Sequence, residues 1–332
     1  MWEKGHKALF LIAGLLIVTG SVWVLRPRPE KPQLLPTLWI FYARATGLHE
    51  TLYGRHYSAR GRPLGKPLRI GALGLIQQIQ GAASGLGRWE WVTTGHFVVG
   101  LTRGRVSIRR RAPARRQILS VAEFERKLYS VVEGSNQRQV SVAQWTANGW
   151  HVIRSNLPIG ITTLVQGPQS TVWVLTAQPD RAYVTEVQGG NQRYKTPPLE
   201  PQGTMGFWQG EPVIPFVRGS GTFGFWDGLD HRFPSVYRAA VSVTDTAPLW
   251  GLGVYGMIPF SDGRFNLQRT VPWPSHMPTT PEPLSSGTSP WVAVFSGFSQ
   301  GIWFNVNAGR FGPSFQIKTP WWAVVRAASL GS

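Results

Sequence analysis

The chain has 332 residues, 42% hydrophobic and only 15% charged, so it can bury a sizeable core and wholesale disorder is excluded. It contains no Cys, which excludes disulfides, thiolate metal sites, a Cys nucleophile and a lipid-modified Cys. Its 34 Lys and Arg against 16 Asp and Glu leave a formal charge of +18, a field that attracts polyanions such as nucleic acid, anionic lipid or acidic wall polymers and glycans.

After a seven-residue head, residues 8–25 run for 18 positions without a charge, flanked by Lys4 and Lys7 before and by Arg26, Arg28 and Lys31 after. As a helix this segment covers roughly 27 Å, enough to span a bilayer. Thr19-Gly20-Ser21 offers small residues for cleavage, but Trp23 and Leu25 carry the apolar run past them, which favours an uncleaved signal anchor over a signal peptide. The short basic head favours a cytoplasmic N-terminus and an exported body. Residues 26–36 are rich in Pro and basic, the composition of a stiff tether.

From residue 37 onward the pattern is one of short apolar runs broken by Gly, Pro, Asn and Asp, with 16 Trp and 38 Gly in the chain. Residues 120–129 are the best helical candidate, one or two turns with Val121, Phe124 and Leu128 on one side. Aromatic and apolar runs recur around Trp39, Trp91, Tyr129, Trp173, Ile214, Trp250 and Trp291. About 20 residues after each run comes a turn. Asp262-Gly263 and Asn148-Gly149 are its clearest forms, because such pairs supply the positive φ of a tight hairpin. Taking Gly61, Gly104, Gly149, Gly190, Asp230, Gly263 and Gly309 as markers, the spacings are 43, 45, 41, 40, 33 and 46 residues. Strand-like stretches before the run, between run and turn, and after the turn make four strands per unit and about seven units.

An all-β chain of four-stranded units at this spacing resembles a β-propeller, a likeness of architecture covering residues 37–328. WD40, kelch and Asp-box signatures are absent, so no family is indicated. Six or eight blades fit the same marks, and a pair of β-sandwiches is the alternative fold. The first run has only the Pro-rich tether before it, and residues 321–327 form a strand with no unit after it. The resemblance implies that this last strand completes the first blade and closes the ring.

The resemblance also implies where to look for function. Propeller ligands dock at the axial face, built from the connectors between blades and the loops between second and third strands. Residues 103–116 hold Arg103, Arg105, Arg109, Arg110, Arg111, Arg115 and Arg116, and residues 109–116 are expected in one such connector. Arg44, His49, Arg138, Asp180, Arg181 and Arg218 are expected in loops of the same face. The implied mouth is basic and would take an anionic polymer, a glycan or a partner protein, with the membrane contacted through residues 8–25. Aromatic residues interleaved with base, as at Trp145, Trp150 and Arg154, can stack on sugars or single-stranded nucleic acid. Packing accounts for these Trp, so nucleic acid is not the expected partner.

Catalytic signals are sparse. Asp227-Gly228-Leu229-Asp230-His231 is the densest polar cluster, but its spacing matches no metal loop and it lies on a repeated turn. No Gly-x-Ser-x-Gly elbow, Walker loop or dinucleotide fingerprint is present, so neither a metal nor a cofactor is expected. The enzymatic alternative is a hydrolase or lyase of extracellular polysaccharide using Asp180, Asp227, Asp230 and His231. A scaffold of a membrane complex is the third reading, and nothing in the sequence fixes an oligomeric state.

Overall fold

The computed structural model describes residues 37–46, 49–58, 60–75, 81–84, 89–102, 105–113, 116–134, 138–189, 193–202, 204–218, 222–228, 242–243, 249–253, 256–273, 282–284, 291–296, 300–307, 310–311, 315–318 and 325–330. Met1–Leu34 and Leu35–Ser332 are separate compact units, and the expected anchor and tether lie outside the described residues. No helix among the described residues is long and apolar enough to cross a membrane.

The described strands form seven antiparallel sheets of four or five strands, taken up in chain order. Sheet 1 holds Thr37–Thr46 (β1), His49–Tyr57 (β2) and Leu68–Leu75 (β3). Sheet 2 holds Gly81–Ser84 (β4), Glu90–Thr93 (β5), Phe97–Thr102 (β6) and Arg105–Arg111 (β7). Sheet 3 holds Ile118–Phe124 (β8), Lys127–Glu133 (β9), Gln139–Thr146 (β10) and Gly149–Pro158 (β11). Sheet 4 holds Ile161–Gln166 (β12), Val172–Gln178 (β13), Arg181–Glu186 (β14) and Arg193–Lys195 (β15). Sheet 5 holds Glu200–Pro201 (β16), Gly206–Trp208 (β17), Glu211–Arg218 (β18) and Thr222–Asp227 (β19). Sheet 6 holds Ser242–Val243 (β20), Trp250–Leu252 (β21), Gly256–Ser261 (β22), Arg264–Phe265 (β23) and Val271–Pro272 (β24). Sheet 7 holds Glu282–Leu284 (β25), Trp291–Ser296 (β26), Gln300–Asn307 (β27), Arg310–Phe311 (β28) and Phe315–Lys318 (β29).

The last strand, Val325–Leu330 (β30), pairs with β1 in the first sheet, Thr37 opposite Leu330 and Tyr42 opposite Val325. Residues 321–324, which the sequence also assigns to this strand, lie outside the described residues. Leading strands touch their successors: β30 meets β4, β4 meets β8, β8 meets β12, β20 meets β25, and β25 meets β30. Between them, β13 and β14 reach β16, and β18 reaches β20.

Packing explains why the second strand of each sheet carries the aromatic run. Such a strand is covered on both faces, so its successive side chains enter different cores. Val92 lies in the core between sheets 1 and 2, and its neighbour Trp91 in the core between sheets 2 and 3. Val132 joins that second core while Val131 joins the one between sheets 3 and 4. Val174 and Trp173 split likewise between the cores on either side of sheet 4. A period of two is present, but both phases are apolar and the sequence reads as a continuous run.

The same effect corrects the helical expectation for residues 120–129. They form the end of β8, a turn and the start of β9, with Phe124 opposite Lys127. Glu125 and Arg126 both take positive φ, 49° and 63°, in a two-residue turn without Gly. Val121 and Leu128 are buried on opposite strands, and their spacing mimics a helical face. The Asp262-Gly263 turn forms as expected, with φ of 52° and 73° and Ser261 opposite Arg264. At Asn148-Gly149 the positive φ falls on Gly149 alone, and Ala147 and Asn148 make the turn between Thr146 and Gly149. Gly104, Gly190, Asp230 and Gly309 lie outside the described residues.

Candidate functional site

Connectors between sheets and turns between second and third strands come together at one end of the sheets, held by backbone bonds. Ala112 N–H donates to the His96 carbonyl at 2.8 Å and Ile118 N–H to that of Gly95 at 2.6 Å. Glu133 N–H donates to Gln117 O, and Leu199 N–H to Asp180 O, each at 2.8 Å. Gln178 Nε2 reaches the Ile159 carbonyl at 2.9 Å. The repeated Gly-bearing turns stand at the opposite end, between third and fourth strands.

Several expected site residues flank the connector end. Arg44 is exposed near the end of β1, His49 opens β2, Arg181 opens β14 and Arg218 ends β18. Arg138 is exposed just before β10, Arg116 is half-buried in the connector after β7, and Arg115 lies outside the described residues. Arg181 does not present a free charge, because its Nε donates to Asp180 Oδ2 at 2.8 Å. That hydrogen bond holds the exposed Asp180 carboxyl below its usual range.

Arg109, Arg110 and Arg111 are placed differently from the sequence expectation. They belong to β7, the outermost strand of sheet 2, and not to the connector. The run is extended because its side chains alternate between two sheet faces. Arg110 stacks over Trp145 of sheet 3, 4.3 Å from the ring centre, and Arg109 over Phe97 at 5.0 Å. Trp150 Nε1 donates to the Arg111 carbonyl at 3.0 Å, tying β11 to β7. Gly71 of β3 leaves room for Arg109, since a Cβ there would lie 2.5 Å from its Nη2. Arg109 and Arg110 therefore hold neighbouring sheets together as well as adding charge.

Positive charge is unevenly distributed. Residues 37–158, sheets 1 to 3, contain 18 Lys and Arg against 5 Asp and Glu, whereas residues 159–330 contain 11 against 9. Two of those five acids, Glu90 and Glu123, are buried. Burial raises the Glu90 carboxyl to about 8. It raises Glu123 as well, opposed by the hydrogen bond Glu123 accepts from Trp91 Nε1. Glu90 is thus a neutral acid at pH 7, so the exposed field is more positive than the formal count.

The sequence reading missed a second feature of sheet 1. Tyr42 stacks on Tyr53 at 5.7 Å, the Arg44 guanidinium lies over both rings, and Arg55 lies over Tyr57. The signal was available as the alternation Tyr53, Arg55, Tyr57, which places all three on one face of a strand.

The catalytic candidates do not converge among the described residues. Asp180 lies at the connector end of sheet 4, while Asp227 ends β19 beside the opposite end, where Gly228 N–H bonds Pro212 O. Leu229, Asp230 and His231 lie outside the described residues. No group of three or more His, Asp or Glu able to hold a metal occurs among the described residues.

No family model matches the chain, and no curated protein matches it. Solved structures of low identity do. Dihydro-heme d1 dehydrogenase NirN is 13% identical with a TM-score of 0.50, over 90% of this chain and 77% of that one. A putative 6-phosphogluconolactonase from Bacteroides uniformis is 12% identical with a TM-score of 0.51, over 88% of this chain and all of the other. Both neighbours are β-propeller-like. The chain has a β-propeller-like fold.

Proposed function

We propose that the chain is a membrane-anchored β-propeller, exported across the membrane, that binds an anionic polymer, glycan or acidic partner protein. Residues 8–25 serve as the anchor and residues 26–36 as the tether. The seven sheets act as seven blades of one ring, closed where β30 supplies the leading strand of sheet 1.

One observation carries the binding reading: the excess of 18 basic over 5 acidic residues in sheets 1 to 3. A one-sided field concentrates a polyanion at one sector and raises its association rate. Arginines stacked on aromatic rings are held with their N–H edges free, the geometry that suits carboxylate, phosphate and sulfate. The test is sedimentation of the purified chain with polyphosphate, dextran sulfate and neutral dextran. Binding to the two charged polymers and not to dextran supports the reading, and equal binding to all three, or none, overturns it. A reporter fused at the C-terminus tests export.

A further inference from the structure

Within that binding reading, we infer that one face of sheet 1 is an oxyanion subsite, formed by Tyr42, Arg44, Tyr53, Arg55, Tyr57 and Arg69, that engages phosphate, sulfate or carboxylate groups of an acidic polymer. The face follows from strand geometry. Residues directly opposite across a ladder share a face. Tyr42 is opposite Tyr53, Ile40 is opposite Arg55, and Leu38 is opposite Tyr57. Tyr53 is in turn opposite Arg69 of β3.

The alternate positions Trp39, Phe41, Ala43 and Leu52 enter the core shared with sheet 2, so the Tyr and Arg side chains occupy the other face. Leu38 and Ile40, both fully buried, floor one end of it. Arg44 and Arg69 are exposed, while Tyr42 and Tyr57 are nearly buried.

The chemistry is one-sided. Three guanidinium groups and three phenols can all donate hydrogen bonds, and Glu50, opposite Ala45, belongs to the other face. Arg44 is held 5.7 Å from the Tyr42 ring and 5.5 Å from the Tyr53 ring, and Arg55 is held 5.7 Å from Tyr57. Stacking fixes the guanidinium planes and leaves their edges to donate in pairs to a planar or tetrahedral oxyanion. Arg55 Nε is buried and has no hydrogen-bond partner, an unmet donor of the kind that ordinary packing satisfies. Burial raises the phenols of Tyr42 and Tyr57 above their ordinary value despite the neighbouring arginines, so both remain protonated donors at neutral pH.

A structural role alone would need the rings but not the exposed cations. The full chain is titrated calorimetrically with tripolyphosphate, a sulfated disaccharide and a short polyglutamate, and the three arms distinguish the oxyanions. Arg44→Ala and Arg55→Lys are compared with Lys66→Gln, which removes one charge from an exposed position outside the face. Arg55→Lys keeps the charge and loses the planar fork. We expect at least a ~10-fold loss of affinity in both Arg variants and less than ~3-fold in Lys66→Gln, with melting temperatures unchanged for Arg44→Ala. If polymers bind but all three variants weaken equally, the subsite is wrong and the general basic reading stands. If no acidic ligand binds the wild-type chain, both fall.

Discussion

Replacing Glu90 by Gln should make the fold more stable in alkali, and the size of the effect follows from where Glu90 sits. It opens β5, opposite Leu101 of β6 and Ser84 of β4, with 2% of its surface exposed. Its Oε2 has no hydrogen-bond partner, so nothing offsets the cost of a charge there. Burial carries the carboxyl from its ordinary 4.5 to about 8. The folded state therefore keeps a proton that the unfolded chain releases near 4.5. Folded stability is greatest below that value, falls as pH rises, and reaches its floor above about 8. Tenfold in acid strength is worth about 1.4 kcal/mol, so the limiting loss is ~5 kcal/mol, reduced where water or local opening relieves the charge. The Gln variant lacks this titration. His56, lowered by burial, loses stability towards acid, and Glu123 acts in the same sense as Glu90, but both are common to the two proteins. The assay is urea unfolding of wild type and Glu90→Gln from pH 5 to pH 9. The variant should gain at least ~2 kcal/mol on wild type between those limits. Parallel profiles would refute the reasoning.

Other expectations are equally direct. Gly100→Ala would place a Cβ 2.6 Å from Trp91 Cζ3 and should cost about 1–3 kcal/mol in urea unfolding. Trp91→Phe strips Glu123 of its indole donor, and a loss of roughly 1–3 kcal/mol should appear as a lower urea midpoint. Truncation after Val324 removes the strand paired with β1 and should abolish the single cooperative melt seen by circular dichroism.

The repeat was legible because turns and aromatic runs recur at nearly constant spacing, and each run falls on the second strand of a sheet. The hairpin at residues 124–127 was not, because its turn uses Glu125 and Arg126 where Gly or Asn is the usual signal. Composition gave the basic character of the chain, but not its concentration in sheets 1 to 3, which depends on where sheet boundaries fall. The placement of Arg109 and Arg110 was illegible for a different reason: a charge run reads as solvated loop unless the rings it stacks on, Phe97 and Trp145, are known to be near. Tyr53, Arg55 and Tyr57 were visible as an alternation, yet their meeting with Tyr42 and Arg44 depends on the ladder register.

The central claim is that the basic sector binds acidic polymer by charge. The direct measurement is the affinity of the full chain for polyphosphate as a function of salt. The account predicts a linear fall of log K with log salt, at least ~10-fold between about 50 mM and about 500 mM NaCl, as contacts of guanidinium with oxyanion are screened and counterions reabsorbed. An affinity indifferent to salt over that range would contradict it.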